Sequence, residues 1–202
     1  SLARYQRVKA SDFKLPKPAI VSTPERVDYF AQLLQQKFPV THNKLKVGIM
    51  WGANPAKGHD SGQRRSLQKS IPIRELLPLA DLTDDVCFIS LQNKDAGLEA
   101  ARLPELNIID LHRELVDMSD TAALIECLDI VITVDTSISH LAGSMHKKVW
   151  VALMERADWR WQKKKKTSIW YPNATLFRQK KQGDWAPVIK NIRAQLMAVL
   201  KP

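Results

Sequence analysis

Residues 129–134 read DIVITV, and a helix-compatible run, SISHLAG, begins only three positions later at Ser137. A β-branched apolar run with no polar alternation is a strand buried on both faces, and such strands belong to parallel sheets covered by helices on either side. Residues 46–51 (KVGIMW), 86–91 (VCFISL) and 149–153 (VWVAL) have the same character. Helical patterns lie between them: residues 72–82, opened by Pro72; a short segment at 98–103; residues 121–128, with Ser119 or Asp120 as the cap; residues 137–145; and a long amphipathic stretch at 184–200. Residues 107–111 form a weaker strand candidate. Strands alternating with helices predict an α/β domain with a Rossmann-like parallel sheet, helices on both faces and right-handed βαβ connections.

The 202 residues fit about one domain of roughly 100–200 residues. Residues 1–23 are rich in Lys and Pro and read as a connector, followed at Pro24 by a helix with a stripe of Val27, Phe30, Ala31, Leu33 and Leu34. The expected division is therefore residues 1–45 as interdomain connector and helix, and residues 46–202 as the Rossmann-like domain. No apolar run approaches the ~18 residues of a membrane span, and no signal core is visible. Cys87 and Cys127 sit in apolar runs as small buried thiols, which favours a reducing cytoplasm, with a single buried disulfide as the alternative.

A net charge of +10 calls for an anionic partner: nucleic acid, a phosphate-bearing small molecule or a membrane surface. The lysine run 163–166 lacks amphipathic spacing and reads as a solvated loop.

Ligands of open parallel sheets bind outside the carboxyl ends of the strands. Two loops there carry chemistry. The first, residues 52–66 (GANPAKGHDSGQRRS), holds Lys57, Arg64 and Arg65, and Gly48, Gly52, Gly58 and Gly62 lie in or just before it. Glycine permits close backbone approach to an anion and the cations supply charge-assisted hydrogen bonds. It is neither a Walker loop nor a G-x-G-x-x-G turn, and an ordinary surface loop has the same composition. The second, residues 134–143 (VDTSISHLAG), ends a buried strand on Asp135 and starts a helix at once. The backbone amides of Thr136, Ser137 and Ile138 are then first-turn donors that, with the helix dipole, form a phosphate site. Asp135 would accept hydrogen bonds from sugar hydroxyls; the alternative is that Asp135 or Thr136 is only a helix cap.

His140 lies one turn into that helix. The five histidines have no metal-ligand spacing and Ser139 lacks a G-x-S-x-G elbow, so an orienting or structural hydrogen-bonding role is expected. Trp159 and Trp161 read as packing rather than base stacking, with Asn54 and Arg160 as further candidate ligand contacts.

DTSISHLAG followed by KKVWVAL resembles the D-T-x-x-x-H-L-A-x-A motif and succeeding strand of the heptosyltransferase-like glycosyltransferases (family 9), which have the two-domain GT-B fold. VGIMWGANP, the RRS at residues 64–66, ISLQ, DTAALI, DWRW, WYP, LFRQ and GDW look like the glycosyltransferase domain that follows tetratricopeptide repeats in many bacterial proteins. SLARY and PERVDYFAQLL resemble the family's crossing from its first to its second domain. The resemblance implies the C-terminal, donor-binding half of a GT-B enzyme, taking a nucleotide diphosphate sugar and working without metal or other cofactor. By motif position it assigns Asp135, Thr136, Ser137, Ile138 and His140 to the donor. Gly52 and Ala53 stand where hydroxyl residues are expected, leaving Lys57, Arg64 and Arg65 to grip the diphosphate. It assigns no catalytic residue here, because acceptor and base belong to an N-terminal domain absent from these residues; self-association is one way the open face would be covered.

Two other classes remain open from the residues: a non-catalytic interaction domain derived from a transferase, and a basic nucleic-acid-binding module. The second is disfavoured by the absence of a recognisable binding motif.

Overall fold

The computed structural model describes residues 17–53, 60–92, 99–163 and 165–201. The chain forms a five-stranded, all-parallel sheet of β1 (Leu45–Met50), β2 (Val86–Ser90), β3 (Ile130–Val134), β4 (Val149–Leu153) and β5 (Ala174–Arg178), in the order β2-β1-β3-β4-β5. The helices are α1 (Pro24–Lys37), α2 (Asp60–Lys69), α3 (Met118–Glu126), α4 (Ser137–Ser144) and α5 (Ala186–Leu200).

The weak strand expected at 107–111 is a single parallel bridge from Ile109 to Ile89, with Ile109 N–H donating to Phe88 O and Ser90 N–H to Ile109 O. Counting that bridge, the order is the Rossmann one, with the chain reversing direction across the sheet between β1 and β3. The carboxyl ends of those two strands, Met50 and Val134, flank the crevice where the site lies.

Two cores fill the two faces. One joins Phe30, Leu33 and Leu34 of α1 to Leu124 and Ile125 of α3 and Ile138 and Leu141 of α4. The other joins Leu76 and Leu79 of a 3-10 segment (Ile73–Leu82) to Val188, Ile189, Ile192 and Leu196 of α5. All five residues of β2, β3 and β4 are buried, as their unbroken apolar runs require. Cys87 and Cys127 are both free thiols. Among the described residues, no helix is long and apolar enough to cross a membrane.

Four differences from the sequence expectation have physical reasons. The segment opened by Pro72 is 3-10 rather than α because Pro78 falls in its middle, where it lacks an amide and would clash within an α-helix. The stretch read as a loop from residue 52 contains α2, which begins at Asp60 and has no apolar stripe to announce it; its attachment is polar, as Ser70 Oγ donates to Ser66 O and accepts from Ala53 N–H. Strand β5 is absent from the sequence expectation: only Ala174 and Leu176 of ATLFR are buried, because it lies at the sheet edge, where Thr167 pairs antiparallel with Thr175.

The fourth concerns α3, whose cap is Asp117, ahead of the residues expected. Asp117 Oδ1 accepts from the amides of Ser119 (2.8 Å) and Asp120 (3.1 Å), and Asp120 Oδ2 accepts in return from the Asp117 amide (3.2 Å), a reciprocal capping box. Asp120, 2% exposed, also accepts from Arg26 and so ties α1 to α3. The Ser119 hydroxyl, with the two amides, holds the Asp117 carboxyl below its ordinary value. A depressed folded value means that the stabilisation is complete above the unfolded value of about 3.9 and is lost as pH falls through the folded one. Asp117→Ala is therefore expected to be less stable than wild type at neutral pH, with the gap closing in acid below about pH 4. Urea midpoints across pH check this; a gap that persists undiminished at low pH contradicts a charged cap.

Candidate functional site

Strand β3 ends at Val134, Asp135 turns the chain, and Thr136 caps α4. The Thr136 hydroxyl accepts from Ile138 N–H at 3.3 Å, while lying 3.2 Å from Thr133 Oγ1 and 3.4 Å from Met50 Sδ. Ser139 secures the turn through its amide and hydroxyl, both donating to Thr136 O. Of the three amides expected to be open, Ile138's is thus used by the cap, and its side chain is core at 1% exposed. Ser137 is exposed, and among the described residues its amide has no hydrogen-bond partner.

Asp135 is 6% exposed, and the fold has arranged partners for it. Trp161 Nε1–H donates to Oδ1 at 2.8 Å. Lys69, the last residue of α2, places Nζ 2.8 Å from Oδ2 and donates to the Asp135 carbonyl at 3.3 Å. The Nζ–Oδ2 contact lies outside hydrogen-bond angles, so that oxygen is paired by charge and keeps its hydrogen-bonding capacity. The Lys69 side chain is 21% exposed. Of the pair, the ammonium is therefore the partner more open to solvent.

Trp161, fully buried, is held by its own loop. Arg178 donates to the carbonyls of Trp161 (3.0 Å) and Gln162 (2.6 Å), and Asp158 caps the short 3-10 turn Trp159–Trp161. Burial pushes the Arg178 guanidinium down, partly offset by Asp135. His140 stacks on Trp161, with centroids 5.2 Å apart and planes at 19°, and its Nδ1 is 3.0 Å from the Tyr171 hydroxyl. Burial pushes His140 below its ordinary value against the opposing pull of Asp135, which favours the neutral ring.

The remaining expected residues are dispersed around this centre. Arg64 and Arg65 are exposed on α2; Arg65 is near enough to Asp158 to help lower its pKa, behind the Arg160 amide and guanidinium, all acting against burial. Arg160 is engaged at the surface, donating to Asp158 at 2.8 Å with its guanidinium 4.9 Å over the Trp159 ring. The tryptophans divide: Trp161 packs inside, whereas Trp159 is 68% exposed beside a cavity of about 1060 Å³ at the ends of β4 and β5. Lys57 and Asn54 lie outside the described residues.

Sequence reasoning missed Lys69, Tyr171 and Arg178. Lys69 has a signal in its place just after the basic residues of the first loop, but the polar helix that carries it to Asp135 has none. Tyr171 and Arg178 stand in the WYP and LFRQ motifs that carry the resemblance, but their partners are distant in sequence and nothing local shows what they contact.

Removing one partner from a buried ion pair costs about 3–5 kcal/mol, and the partial exposure of Lys69 reduces this to roughly 1–3 kcal/mol for Lys69→Met. Asp135→Asn in the Lys69→Met background should restore much of the loss, because it removes the uncompensated charge. Urea unfolding of the four proteins measures the coupling, and simple additivity would show the pair to be energetically idle.

No family model matches the sequence, and no curated protein matches it. Solved structures do match the fold. The chain superposes on the ADP-heptose lipopolysaccharide heptosyltransferase II of E. coli with a TM-score of 0.64 at 14% identity, covering 96% of this chain and 57% of that one. On a family 9 glycosyl transferase from Veillonella parvula the TM-score is 0.60 at 13% identity, covering 90% and 53%. The chain thus spans little more than half the length of either. Its fold is that of one Rossmann-like half of a heptosyltransferase-like, GT-B glycosyltransferase, as the resemblance in the motifs implied.

Proposed function

We propose that this chain is the nucleotide-sugar-binding half of a glycosyltransferase and that the donor's diphosphate lies at the N-terminus of α4. The observation that carries the proposal is the partly exposed Lys69 ammonium, anchored on buried Asp135 beside the Ser137 amide, at the switch point of the sheet. An ammonium has three donors; one goes to the Asp135 carbonyl while Oδ2 holds the charge by proximity, which leaves donor capacity to meet a phosphate oxygen. Helix dipole, open amide and cation act in the same direction. They would also stabilise negative charge on the departing diphosphate without a metal, the task of preorganised electrostatic catalysis.

In this reading Asp135 first holds Lys69 and Trp161, and the remaining hydrogen-bonding capacity of Oδ2 is what a sugar hydroxyl would use. Thr136 shapes the turn, His140 lines it, and Arg64 and Arg65 raise the local positive potential from α2, with Arg160 as a further cation; Lys57 is given to the diphosphate by the motif resemblance alone. The acceptor and catalytic base come from a second Rossmann-like domain across a cleft. Three charge-assisted contacts at about 1.5–3 kcal/mol each, less several kcal/mol of association entropy, put donor affinity of this half nearer millimolar than nanomolar.

A thermal-shift screen of nucleoside diphosphates and their sugars, with an oligonucleotide control, tests the class, since a ligand of the native state raises stability by RT ln(1 + [L]/Kd). One nucleotide series is expected to raise the melting temperature. Lys69→Met should weaken that ligand about 10–100-fold, while neutralising Lys163, Lys165 and Lys166 leaves it unchanged. Stabilisation by the oligonucleotide alone, abolished by removing those lysines, would instead make the chain a nucleic-acid module. Stabilisation by none of these ligands would favour a non-catalytic interaction domain. The isolated chain is expected to release no nucleoside diphosphate from donor and acceptor together, and robust turnover would show that a complete site is already present.

A further inference from the structure

His140 is held between two aromatic neighbours, Trp161 and Tyr171. Trp161 lies flat against its ring, and Trp161 is itself locked by Asp135 at its indole nitrogen and by Arg178 at its carbonyl. Tyr171 packs at 5.7 Å from the ring, inclined at 58°, with its hydroxyl on Nδ1. Gly143, one turn further along α4, makes room for Tyr171: a Cβ there would stand 2.5 Å from Tyr171 Cγ and 2.6 Å from Cδ1. Residues three apart share a helix face, so Tyr171 covers both Gly143 and His140. Among the described residues, Nε2 has no hydrogen-bond partner in the protein.

We propose that Tyr171 is a positioning residue: its hydroxyl donates to Nδ1, which holds His140 as the Nε2–H tautomer and presents Nε2–H as a fixed donor to a diphosphate oxygen at the N-terminus of α4. The ligand half of this proposal rests on the function proposed above; the tautomer half stands on the geometry alone. A neutral imidazole has one acceptor and one donor nitrogen, and the partner of one sets the state of the other. A phenol donates better than it accepts, and an imidazole nitrogen is the stronger acceptor of the two groups. The hydrogen therefore sits on Tyr171 Oη and points to Nδ1. The charged groups acting on the ring are Asp135 at the end of β3, Lys69 on α2, and Asp158 and Arg160 in the 3-10 turn; the two acids favour protonation, the two bases oppose it, and burial favours the neutral ring. A neutral, oriented N–H serves an anion site without adding an unpaired buried charge.

Long-range ¹⁵N NMR of the labelled chain reads the tautomer directly. Wild type is expected to show Nε2–H alone and Tyr171→Phe a mixture of tautomers, with near-UV circular dichroism and melting temperature confirming that both are folded. Titration with pyrophosphate, which needs no base, and with adenosine and uridine diphosphates gives the second readout. Tyr171→Phe should bind about threefold to tenfold more weakly. His140→Gln, whose side-chain amide places an N–H near the Nε2 position, should bind within about twofold of wild type, whereas His140→Phe should lose at least as much as Tyr171→Phe. Gly143→Ala, which displaces Tyr171 and leaves both polar groups present, should reproduce the mixed tautomers. Nδ1–H in wild type, or an unchanged tautomer in Tyr171→Phe, overturns the positioning role. Unchanged affinity in Tyr171→Phe and His140→Phe overturns the donor role. If wild type binds none of the three ligands, the functional reading and the donor role fall together, and the NMR result still decides the positioning.

Discussion

A carboxylate at the end of a central strand, almost closed off from water, is the constraint from which the rest of this site follows. Ionised Asp135 would cost several kcal/mol to bury unpaired. Strand β3 cannot satisfy it, because its own backbone groups are committed to the ladders with β1 and β4. Partners must arrive from elsewhere: Lys69 from the end of α2 and Trp161 from the loop after β4. Each needs support in turn. The α2 helix buries little apolar surface and is tied down by Ser66 and Ser70, and the Trp161 turn is clamped through its carbonyls by Arg178 of β5. One acidic side chain therefore recruits both flanks of the switch point, and a polar interaction here acts as a geometric specification more than as a source of net stability.

The local electrostatics differ from what net charge suggests. The chain carries +10, yet the centre of the site is an ion pair of zero net charge, beside a histidine whose neutral form burial favours. Positive potential comes from its periphery: the Ser137 end of α4, the outward-facing Arg64 and Arg65, and Arg160. Such a layout attracts an anion without presenting several buried cations that would repel one another when the site is empty. The exposed lysines near residue 165 adjoin the edge strand β5, where the Lys166 carbonyl accepts a backbone hydrogen bond from Leu176 N–H; charge there is better explained by protection of a sheet edge than by recognition.

The α/β class, four of the five strands and the helices flanking β3 were legible because each is announced by a local pattern: unbroken apolar runs, Pro at a helix start, a polar residue at a cap. What was not legible lacks such a pattern. Helix α2 is held by polar contacts and has no apolar stripe; β5 is an edge strand with a half-exposed sequence; the 3-10 character of residues 73–82 follows from a proline whose effect depends on its neighbours. At the site, Asp135, Thr136 and His140 stood out because they share one short motif at a strand–helix junction. Lys69, Tyr171 and Arg178 reach the same few ångströms from three other elements, and only tertiary structure brings them together. Composition points to Lys57, which lies outside the described residues, while the cation that the fold delivers to Asp135 sits in a segment with the pattern of a loop.

Gly143 shows which consideration dominated in α4. A glycine inside a helix is about 0.5–1 kcal/mol less favourable than alanine, and this helix has only eight residues over which to absorb that loss. Its neighbours do not need the flexibility, since Gly143 adopts ordinary helical geometry. What the missing Cβ provides is space: Tyr171 settles against the helix, reaches His140 and closes the aromatic layer over Trp161. Local helix stability has been exchanged for the placement of one phenol. Alanine would recover the helix propensity only by pushing Tyr171 off the helix, so here the close packing of the aromatic layer outweighs the local preference of the backbone.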